Sequence, residues 1–528
     1  MEHAQGIGVG QAAVGRRLAY RTGYAQYYQF AAERPGYFLP GAALILLVGF
    51  VLRMWNLGSA SLWTDEVLTA VRASVSLRDS FNSILSTGNQ TPIYFISLQL
   101  LPSFDETLLR LPSALMGLFG IALLMFVAVR LYGRYELALW AGALLAVNPY
   151  HVWLSRTARP YAMIFVLSLF ISYSFLMMAR GKQSRMRWIL FTAASLMAYL
   201  THYSAAALLA AQFVSFVFLM RDRRQFFIRW MIAQACAAVP VLIWLYVLSR
   251  HPIAVGPAWV PTPDLRDIPL TIWAMTLGYT GALKWYMVPA LMIVSASLVF
   301  GMFYAVREGR RSPDNFYWFW LIVAPLVPVF LISAFIVSFY VDRYFMIFLP
   351  ALVLLIPLIW TRLPRQLWQI ALAVVIVTNT HNVLLAFSDG SYVRADWRGA
   401  ADYVESNFRP GDQIMIERTN VQQAFMRYFE PPEAGIDSHL ILMSDKPDLE
   451  AVEQNSRRIW VVYRNPIEDV HRQGVMPDFN PFRPGQSSMG DWLAEHRDQV
   501  VAHGKYNGVR VLLLDLRLPV MASEVPAR

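Results

Sequence analysis

The stretch LPSALMGLFGIALLMFVAV, residues 111–129, runs for nineteen residues without a charged side chain. A helix of about twenty apolar residues is long enough to cross the hydrocarbon core of a bilayer. Comparable apolar runs recur from residue 38 to residue 387, and 56% of the chain is hydrophobic while only 15% is charged. Soluble domains contain about 25% charged residues. The sequence therefore predicts a polytopic α-helical membrane protein.

These apolar runs predict about eleven transmembrane helices. Their approximate bounds are 38–57, 107–130, 135–154, 161–179, 187–203, 204–220, 228–249, 285–306, 316–339, 344–360 and 366–387. The segment DIPLTIWAMTLGYTG, residues 267–281, is too short to cross comfortably, so we predict that it is re-entrant or interfacial. The first run lacks a small-residue cleavage site, which predicts a retained span rather than a signal peptide.

The basic residues follow a topological pattern. The formal net charge is +10, and its distribution favours membrane topology over nucleic-acid binding. If the N-terminal arginines Arg16, Arg17, Arg21 and Arg34 are cytoplasmic, every second loop is cytoplasmic and rich in Arg or Lys, as the positive-inside rule requires. These loops contain Arg130 and Arg134, ARGKQSRMR (179–187), RDRRQFFIR (221–229), REGRR (307–311) and TRLPR (361–365).

The sequence divides into three regions under this topology. Residues 1–37 form a cytoplasmic N-terminal segment, and residues 38–387 form the transmembrane domain with a first outer loop at 58–106. Within that loop, residues 65–77 and 91–101 have apolar faces that suit helices lying at the membrane surface. The single cysteine, Cys236, lies in an apolar run and excludes an intramolecular disulfide.

Residues 388–528 change in character and predict an extracytoplasmic α/β domain. The segments 395–407 (ADWRGAADYVESN) and 491–504 (DWLAEHRDQVVAHG) have the pattern of amphipathic helices. The segments 412–417 (DQIMIE), 457–464 (RRIWVVYR) and 508–516 (GVRVLLLDL) are typical of strands.

Two adjacent acids, Asp65 and Glu66, follow the first span on its outer side. One interpretation needs no function, because Thr64 can cap a helix whose dipole is complemented by acids in its first turn. In the other interpretation, Asp65 accepts a proton from a substrate. Neighbouring residues on a helix point in different directions, so Glu66 would then orient a neighbour.

Several basic and aromatic residues are predicted at the outer ends of spans. They are Arg156, Arg159 and Tyr161 in SRTARPY, His202 and Tyr203 in LTHYS, and Arg343 and Tyr344 in VDRY. Snorkelling arginines and an interfacial aromatic belt would explain them without any function. Arginines outside the membrane nevertheless oppose the positive-inside bias, and a bound phosphate is the simplest reason for them.

These residues fit transfer of a sugar from a lipid-linked phosphate. The lipid tail would lie between helices with its phosphate near the arginines, while Asp65 deprotonates an acceptor hydroxyl. The arginines would stabilise the charge on the departing lipid phosphate. No nucleotide-sugar fold is needed, because the activated donor is presented in the membrane.

The order of several motifs resembles the bacterial glycosyltransferases of the C superfamily, above all the protein mannosyltransferase and lipid A aminoarabinose transferase relatives. The motifs are LGSASLWTDEVLTA (57–70), TPIYFISLQL (91–100), LRLPSALMGLFGIALL (109–124), SRTARPYAMIF (155–165), LTHYSAAALLA (200–210) and DRYFMIFLPALVLL (342–355). The segment RADWRGAADYVESNFRPGDQIMI (394–416) is also similar to the extracytoplasmic domain of many such proteins.

The resemblance implies roles for individual residues. It makes Asp65 the base of the acidic pair, places Arg343 and Tyr344 on the lipid phosphate, and matches Arg159 and Tyr161 to an Ala-Arg-x-Tyr motif. Relatives often have Gln-Glu before that motif, where this chain has Arg156 and Thr157. The missing acid argues against a metal ligand there. Acid clusters can hold Mg²⁺ or Mn²⁺, but we predict that no metal or other cofactor is required.

The sequence thus predicts an inverting hexosyl- or pentosyltransferase in the cell inner membrane. It would use a polyprenyl-phosphate sugar and a glycan, lipid or protein acceptor on the extracytoplasmic face, with Asp65 and Glu66 catalytic. The donor phosphate would bind Arg343, Tyr344, Arg159 and Arg156, and Tyr161, His202 and Tyr203 would line the substrate site. Membrane lipid is a predicted partner, and nucleic acid is not.

Two other functions were compared with this prediction. A transporter or flippase of lipid-linked saccharides predicts ionisable residues near the middle of spans and paired halves. The predicted spans are nearly free of charge away from their ends, and the two halves do not match. A membrane-anchored binding protein with an active tail would leave the outer carboxylates and arginines unexplained.

Overall fold

The structure is a computed structural model of the 528-residue chain. It describes residues 34–88, 90–220, 223–251, 260, 262–279, 283–308, 313–360, 362–388, 395–417, 419–430, 440–443, 448–464 and 488–518. Arg16, Arg17 and Arg21, most of the predicted N-terminal segment, and parts of the basic loops at 221–229 and 307–311 lie outside the described residues.

Helices occupy the predicted transmembrane domain, and every predicted span coincides with helical structure, although the span 135–154 is divided between two helices. The helices are α1 (Phe38–Met54), α2 (Thr64–Ser74), α3 (Leu77–Thr87), α4 (Pro92–Leu98), α5 (Glu106–Tyr132), α6 (Tyr135–Ala146), α7 (Pro149–Ser155), α8 (Tyr161–Ala179), α9 (Arg185–Tyr199), α10 (Leu208–Leu219), α11 (Arg224–Ser249), α12 (Asp267–Leu277), α13 (Val288–Glu308), α14 (Pro313–Phe335), α15 (Leu349–Trp360) and α16 (Arg365–Ser388). Short 3₁₀ segments at Tyr203–Ala207, Trp285–Met287 and Asp342–Phe348 lead into α10, α13 and α15.

The lengths of these helices confirm a multi-pass membrane protein. Among the described residues, seven helices are long and apolar enough to cross a membrane, and an eighth span results if α6 and α7 are counted together. The helix α1 and the segment Tyr203–Leu219 are apolar but shorter. The count of eleven spans and the re-entrant path of α12 therefore stay predictions.

The bend of 63° between α6 and α7 has a local cause. Pro149 lacks a backbone N–H, and Asn148 caps α7 by accepting a hydrogen bond from the His151 N–H at 2.8 Å. Gly278, with φ +81°, lies against this bend, where a Cβ atom would come within 2.5 Å of Pro149 Cβ. The bend precedes the link that carries Arg159, whose side chain contacts Asp65 and Thr69 in the first outer loop.

Two helices form the centre of the transmembrane domain. The most apolar windows of α8 and of the segment Asp342–Trp360 are each 83% buried within the protein. The start of α8 packs beside the 3₁₀ segment Asp342–Phe348. Tyr161 begins α8, Arg159 lies two residues before it, and Arg343 and Tyr344 lie in the 3₁₀ segment. The central helices therefore fix both pairs at one end of the helix bundle.

The first outer loop folds into α2, α3 and α4, which confirms its predicted helices. The prediction that Thr64 caps α2 is wrong. The helix begins at Thr64, Trp63 holds the N-cap position, and the Thr64 hydroxyl is buried without a hydrogen-bond partner among the described residues. The Glu66 side chain instead closes the first turn by accepting from the Trp63 N–H at 3.4 Å.

The described part of residues 395–518 contains a five-stranded mixed sheet. The strands are β1 (Gln413–Ile416), β2 (Leu440–Leu442), β3 (Arg458–Arg464), β4 (Val500–Tyr506) and β5 (Val509–Asp515), in the order β2-β1-β3-β5-β4. Strand β1 is parallel to β2 and β3, whereas β5 is antiparallel to β3 and β4. The helices are α17 (Trp397–Asn407), α18 (Thr419–Met426), α19 (Leu449–Asn455) and α20 (Ser488–Glu495), followed by the 3₁₀ segment Arg497–Gln499.

The predicted strands are confirmed, and so is the helix at 395–407. The predicted helix at 491–504 is wrong in its second half, where residues Val500–Tyr506 form the edge strand β4. The cause is a hairpin turn at Asn507 and Gly508, with φ +63° at Gly508, which pairs Tyr506 with Val509. An Asn-Gly pair between apolar segments is a strong hairpin signal.

The sheet region packs directly on the first outer loop. The Ser61 hydroxyl donates to the carbonyl of Ala395 at 2.7 Å and accepts from the Trp397 N–H at 3.2 Å. The Leu62 N–H donates to the Tyr428 hydroxyl at 2.7 Å. The chain just before Asp65 is thereby held by residues that lie more than 300 positions away in the sequence.

Candidate active site

Four separate parts of the chain converge at the N-terminus of α2. Asp65 lies in the first turn of α2, and Arg159 lies in the short link between α7 and α8. Arg343 lies in the 3₁₀ segment before α15, and His202 lies just before the 3₁₀ segment that leads into α10. The structure thus brings together residues from four of the motifs that the sequence singled out.

Asp65, Arg159 and Arg343 form what we call the Asp65 cluster. Asp65 Oδ2 lies 3.8 Å from Arg159 Nη2 and 3.8 Å from Arg343 Nη2. Arg159 also donates through Nη1 to the Asp65 carbonyl and to the Thr69 hydroxyl, both at 3.4 Å. The arginine side chains are 5% and 17% exposed, whereas that of Asp65 is 29% exposed. The Asp65 carboxylate is therefore accessible to a ligand, and the two less exposed arginines flank it.

The surrounding charge keeps Asp65 ionised. Burial alone would raise the pKa of the Asp65 carboxyl, but positive charge nearby outweighs burial and holds the pKa below its usual value. That charge comes, in decreasing order, from Arg159, Arg343, Arg464 and Arg72. The site therefore contains more cations than carboxylates, an excess of positive charge that favours an anionic ligand.

Aromatic rings position the cluster. The Arg343 guanidinium lies over the Trp63 ring at 5.5 Å, and that of Arg159 lies over the Phe95 ring at 5.7 Å. A second group lies beside these arginines, with the His202 ring 4.7 Å from that of Tyr344 and 6.0 Å from that of Tyr161. Because rings restrict the planar guanidinium groups, both arginines are oriented before any ligand binds.

Glu66 has a different environment from Asp65. Its side chain is fully buried, and its carboxylate accepts from Arg110 Nη2 at 2.7 Å, from Arg110 Nε at 2.9 Å and from the Ala158 N–H at 2.7 Å. Arg110 also donates to the carbonyls of Leu57, Ala60 and Ser61. Glu66 therefore joins α2, α5 and the link that carries Arg159, which makes it a positioning residue.

Two predicted site residues point elsewhere. Arg156 donates to carbonyls at the end of α1, at 2.7 Å to that of Trp55 and at 3.2 Å to that of Leu52, and its guanidinium lies over the Phe387 ring at 4.8 Å. The Tyr203 hydroxyl donates to the Gln90 carbonyl and accepts from Trp244 Nε1, each at 3.1 Å. Neither Arg156 nor Tyr203 therefore belongs to the group of aromatic and basic side chains around Asp65.

Sequence reasoning missed three residues at this site. Arg72 is seven residues after Asp65, two helical turns along the same face of α2, and this spacing could have identified it. Asp342, directly before Arg343, hydrogen-bonds with its side chain to Tyr279. Arg464 ends β3, and no sequence signal connects this strand to the first outer loop.

The described residues contain no group of three or more His, Cys, Asp or Glu side chains that could hold a metal ion. The statement that no metal is required therefore stays a prediction from the sequence. The residues that surround Asp65 are mainly cationic, a donor set that suits anions rather than metal ions.

Comparison with known proteins gives matches in both sequence and fold. Residues 92–248 match the family of dolichyl-phosphate-mannose-protein mannosyltransferases. ArnT from Cupriavidus metallidurans in the apo state is similar with a TM-score of 0.55 and 15% identity, over 90% of this chain and 98% of that chain. The structure of ArnT bound to undecaprenyl phosphate is similar with a TM-score of 0.51 and 14% identity, over 92% of this chain and 98% of that chain.

A second solved protein has a related fold. The apo oligosaccharyltransferase of Archaeoglobus fulgidus is similar with a TM-score of 0.50 and 11% identity, over 84% of this chain and 71% of that chain. No curated protein sequence matches the chain at a significant level. The fold and the family match together confirm the resemblance found in the sequence. The chain is a polytopic membrane protein with a C-terminal sheet region, and its fold is similar to those of ArnT and of the archaeal oligosaccharyltransferase.

Proposed function

We propose that the protein is an inverting glycosyltransferase that moves a sugar from a polyprenyl-phosphate donor to an acceptor hydroxyl. The observation that carries the proposal is the Asp65 cluster, in which an ionised carboxylate is partly exposed and lies 3.8 Å from two arginines. The similarity to ArnT, a protein with a structure bound to undecaprenyl phosphate, supports a donor of this lipid class. The transferred sugar is a hexose or a pentose, and the acceptor is a glycan, a lipid or a protein.

The donor phosphate lies between Arg159 and Arg343 in this proposal. Two buried donors beside Asp65, Arg159 Nε and Trp63 Nε1, have no hydrogen-bond partner among the described residues. A buried donor without a partner is unfavourable, and phosphate oxygens would satisfy both of them. Tyr161, His202 and Tyr344 then contact the sugar or the lipid phosphate. Arg156 and Tyr203, which point elsewhere, are not part of this proposed donor site.

The reaction is a single displacement at the anomeric carbon. Asp65 takes the proton of the acceptor hydroxyl while the hydroxyl oxygen forms the new bond to that carbon. The bond from the anomeric carbon to the phosphate oxygen breaks, and its electron pair leaves with the polyprenyl phosphate, which gains one negative charge. Arg159 and Arg343 stabilise that charge, and the attack from the opposite face inverts the anomeric configuration.

Donor binding would also prepare the base. Without a donor, Arg159 and Arg343 lower the pKa of Asp65 and make it a weak base. A bound phosphate competes for the same guanidinium groups and adds a negative charge nearby, and both effects raise the pKa of Asp65. The carboxylate therefore becomes a stronger base when the sugar is in place.

Replacement of Arg343 by Ala should weaken donor binding about 10- to 100-fold, the range for a lost hydrogen bond to a charged group. Arg343→Lys should restore part of the affinity, because it keeps the charge and loses the planar fork. Removal of a cation also raises the pKa of Asp65, so the acid limb of the transfer rate should move to higher pH. Binding of labelled donor and the pH profile of transfer measure both effects.

The matched control is Arg365→Ala, because Arg365 is 74% exposed and pairs with Glu136 on the surface. This variant should bind the donor like the wild type. Normal affinity and an unchanged pH profile in Arg343→Ala would exclude Arg343 from the donor site.

The proposed site requires an orientation, with α2 and the sheet region on the extracytoplasmic face of the cell inner membrane and the N-terminus in the cytoplasm. A topology reporter fused after Arg528, or inserted within residues 58–61, should report the outside. The same reporter within residues 181–187 should report the cytoplasm, because this loop carries the basic residues that set topology. A cytoplasmic signal from the C-terminal fusion would contradict the orientation and the proposed site of transfer.

A further inference from the structure

A cavity lies between the C-terminal ends of α1 and α16. We call it the α1–α16 cavity. Its volume is about 290 Å³, and its lining includes Asn56, Ser59, Arg110, Arg156, Trp153 and Phe387. Ligand pockets typically have volumes of about 300–1,000 Å³, so this cavity suits a small headgroup rather than a whole lipid.

The polar part of the lining is cationic. Arg110 and Arg156 lie close enough for their charges to repel each other, and no Asp or Glu side chain belongs to the described lining. Carbonyl groups hold Arg156 in place, and one of them belongs to Asn56, which has a left-handed backbone with φ +48°. Arg110 contributes only charge, because its N–H groups already donate to Glu66 and to backbone carbonyls. The fixed Arg156 guanidinium is a group that suits phosphate oxygens.

The remaining lining is apolar and lies at the protein surface. Val383, Ala386 and Phe387 come from the last turns of α16, and Trp55 follows the end of α1. The Trp55 side chain is 63% exposed and that of Phe387 is 38% exposed. Exposed aromatic residues at the ends of apolar helices are typical of the membrane interface. The cavity therefore combines arginine side chains with an exposed apolar edge that acyl chains can contact.

The α1–α16 cavity is separate from the Asp65 cluster. The Trp153 ring, which lines the cavity, lies 6.3 Å from the Trp63 ring, and the Trp63 ring lies 5.5 Å from the Arg343 guanidinium. Arg110, which lines the cavity, binds Glu66 rather than Asp65. One layer of tryptophan rings and the Glu66–Arg110 pair thus divide the two sites.

We propose that the α1–α16 cavity binds the phosphate of an anionic phospholipid headgroup, with Arg156 as its main contact. The acyl chains lie against Trp55 and Phe387, outside the protein. This site is distinct from the proposed donor site and does not depend on the proposed transfer reaction. It gives Arg156 a phosphate ligand in a different place from the one that the sequence suggested.

The test measures lipid binding to the purified full chain in detergent by native mass spectrometry. The probes are dioleoyl phosphatidylglycerol, dioleoylglycerol with the same acyl chains but no phosphate, and glycerol 3-phosphate with no acyl chains. One tight site for phosphatidylglycerol is expected. Arg156→Gln should weaken its Kd about 10-fold or more, the effect of a lost charge-assisted hydrogen bond. Ala386→Trp should do the same by filling the cavity without a change in charge.

Two control variants should keep the wild-type Kd for phosphatidylglycerol. Arg365→Gln removes an exposed arginine far from the cavity, and Arg343→Ala disables the proposed donor site but not this one. Equal Kd values in the wild type, Arg156→Gln and Ala386→Trp would overturn the proposal. Equal binding of dioleoylglycerol would overturn the role of phosphate, and equal binding of glycerol 3-phosphate would overturn the assignment to a lipid.

Discussion

Replacement of Asp65 by Asn is expected to slow sugar transfer by about 10²- to 10⁴-fold, the usual effect of losing a general base. Asn keeps the shape of the side chain and cannot accept the proton of the acceptor hydroxyl. The same change should leave the protein folded, since Asp65 is partly exposed and lies at the start of a helix. The measurement is the rate of transfer by purified protein with donor in excess.

Donor binding by Asp65→Asn should be unchanged or tighter. In the wild type the carboxylate competes with the donor phosphate for Arg159 and Arg343, from which it lies 3.8 Å away. The neutral amide no longer competes. A residue that only complements the dipole of α2 would behave differently, because its loss would lower stability by about 0.3–1 kcal/mol and leave transfer per folded molecule unchanged. Wild-type turnover in Asp65→Asn would support this purely structural role.

Replacement of Glu66 by Gln should destabilise the protein by about 3–5 kcal/mol, the usual effect of breaking a buried ion pair from one side. Both partners are almost inaccessible, with Arg110 1% exposed and Glu66 0% exposed. The change leaves the Arg110 charge buried without its carboxylate and weakens the bond to the Ala158 N–H. Because Ala158 precedes Arg159, donor affinity in the folded fraction should also fall.

Glu136→Gln is the matched control for this experiment. Glu136 pairs with Arg365 at 3.2 Å on the surface, with side chains 35% and 74% exposed. Surface pairs contribute about 0–1 kcal/mol, so the control should unfold at nearly the wild-type midpoint. Thermal unfolding in detergent compares the two variants. A midpoint in Glu66→Gln as high as that of the control would mean that this ion pair does not hold the site together.

The sequence predicted the helical membrane fold well, because long apolar segments have few alternatives. It also predicted that Asp65, Arg159 and Arg343 would meet, since these residues lie at the ends of spans on one predicted side. It could not predict that Arg156 turns away. Only three positions separate Arg156 from Arg159, and the link between α7 and α8 sends the two guanidinium groups to different sites.

Contacts between segments that are distant in the chain could not be predicted from the sequence either. Arg464 acts on the charge of Asp65 from the end of β3, and the packing of the sheet region on the first outer loop has no local signal. The edge strand β4 was predicted as a helix because its residues follow the amphipathic helix α20 without a break in pattern. Its partner β5 and the turn at Gly508 decide the conformation.

The buried Glu66 illustrates a further limit of motif reasoning. The sequence analysis expects Asp65 to be the base and Glu66 to orient a neighbour, but a motif gives no information on the burial of either acid. The structure separates them by burial, with Asp65 29% exposed and Glu66 0% exposed. The direction of each side chain depends on where α2 begins, and that boundary depends on Trp63 and on the sheet region that fixes Ser61 and Leu62.

The most direct test of the account is to follow both products of one reaction with purified wild-type protein. Defined polyprenyl-phosphate sugars, labelled in the sugar and in the lipid, are mixed with acceptor fractions from native membranes. If the protein is the proposed transferase, one polyprenyl phosphate is released for each sugar transferred and the anomeric configuration of the product is inverted. Asp65→Asn loses both signals together. Movement of intact lipid-linked sugar across the membrane without release of polyprenyl phosphate would contradict the account and indicate a transporter.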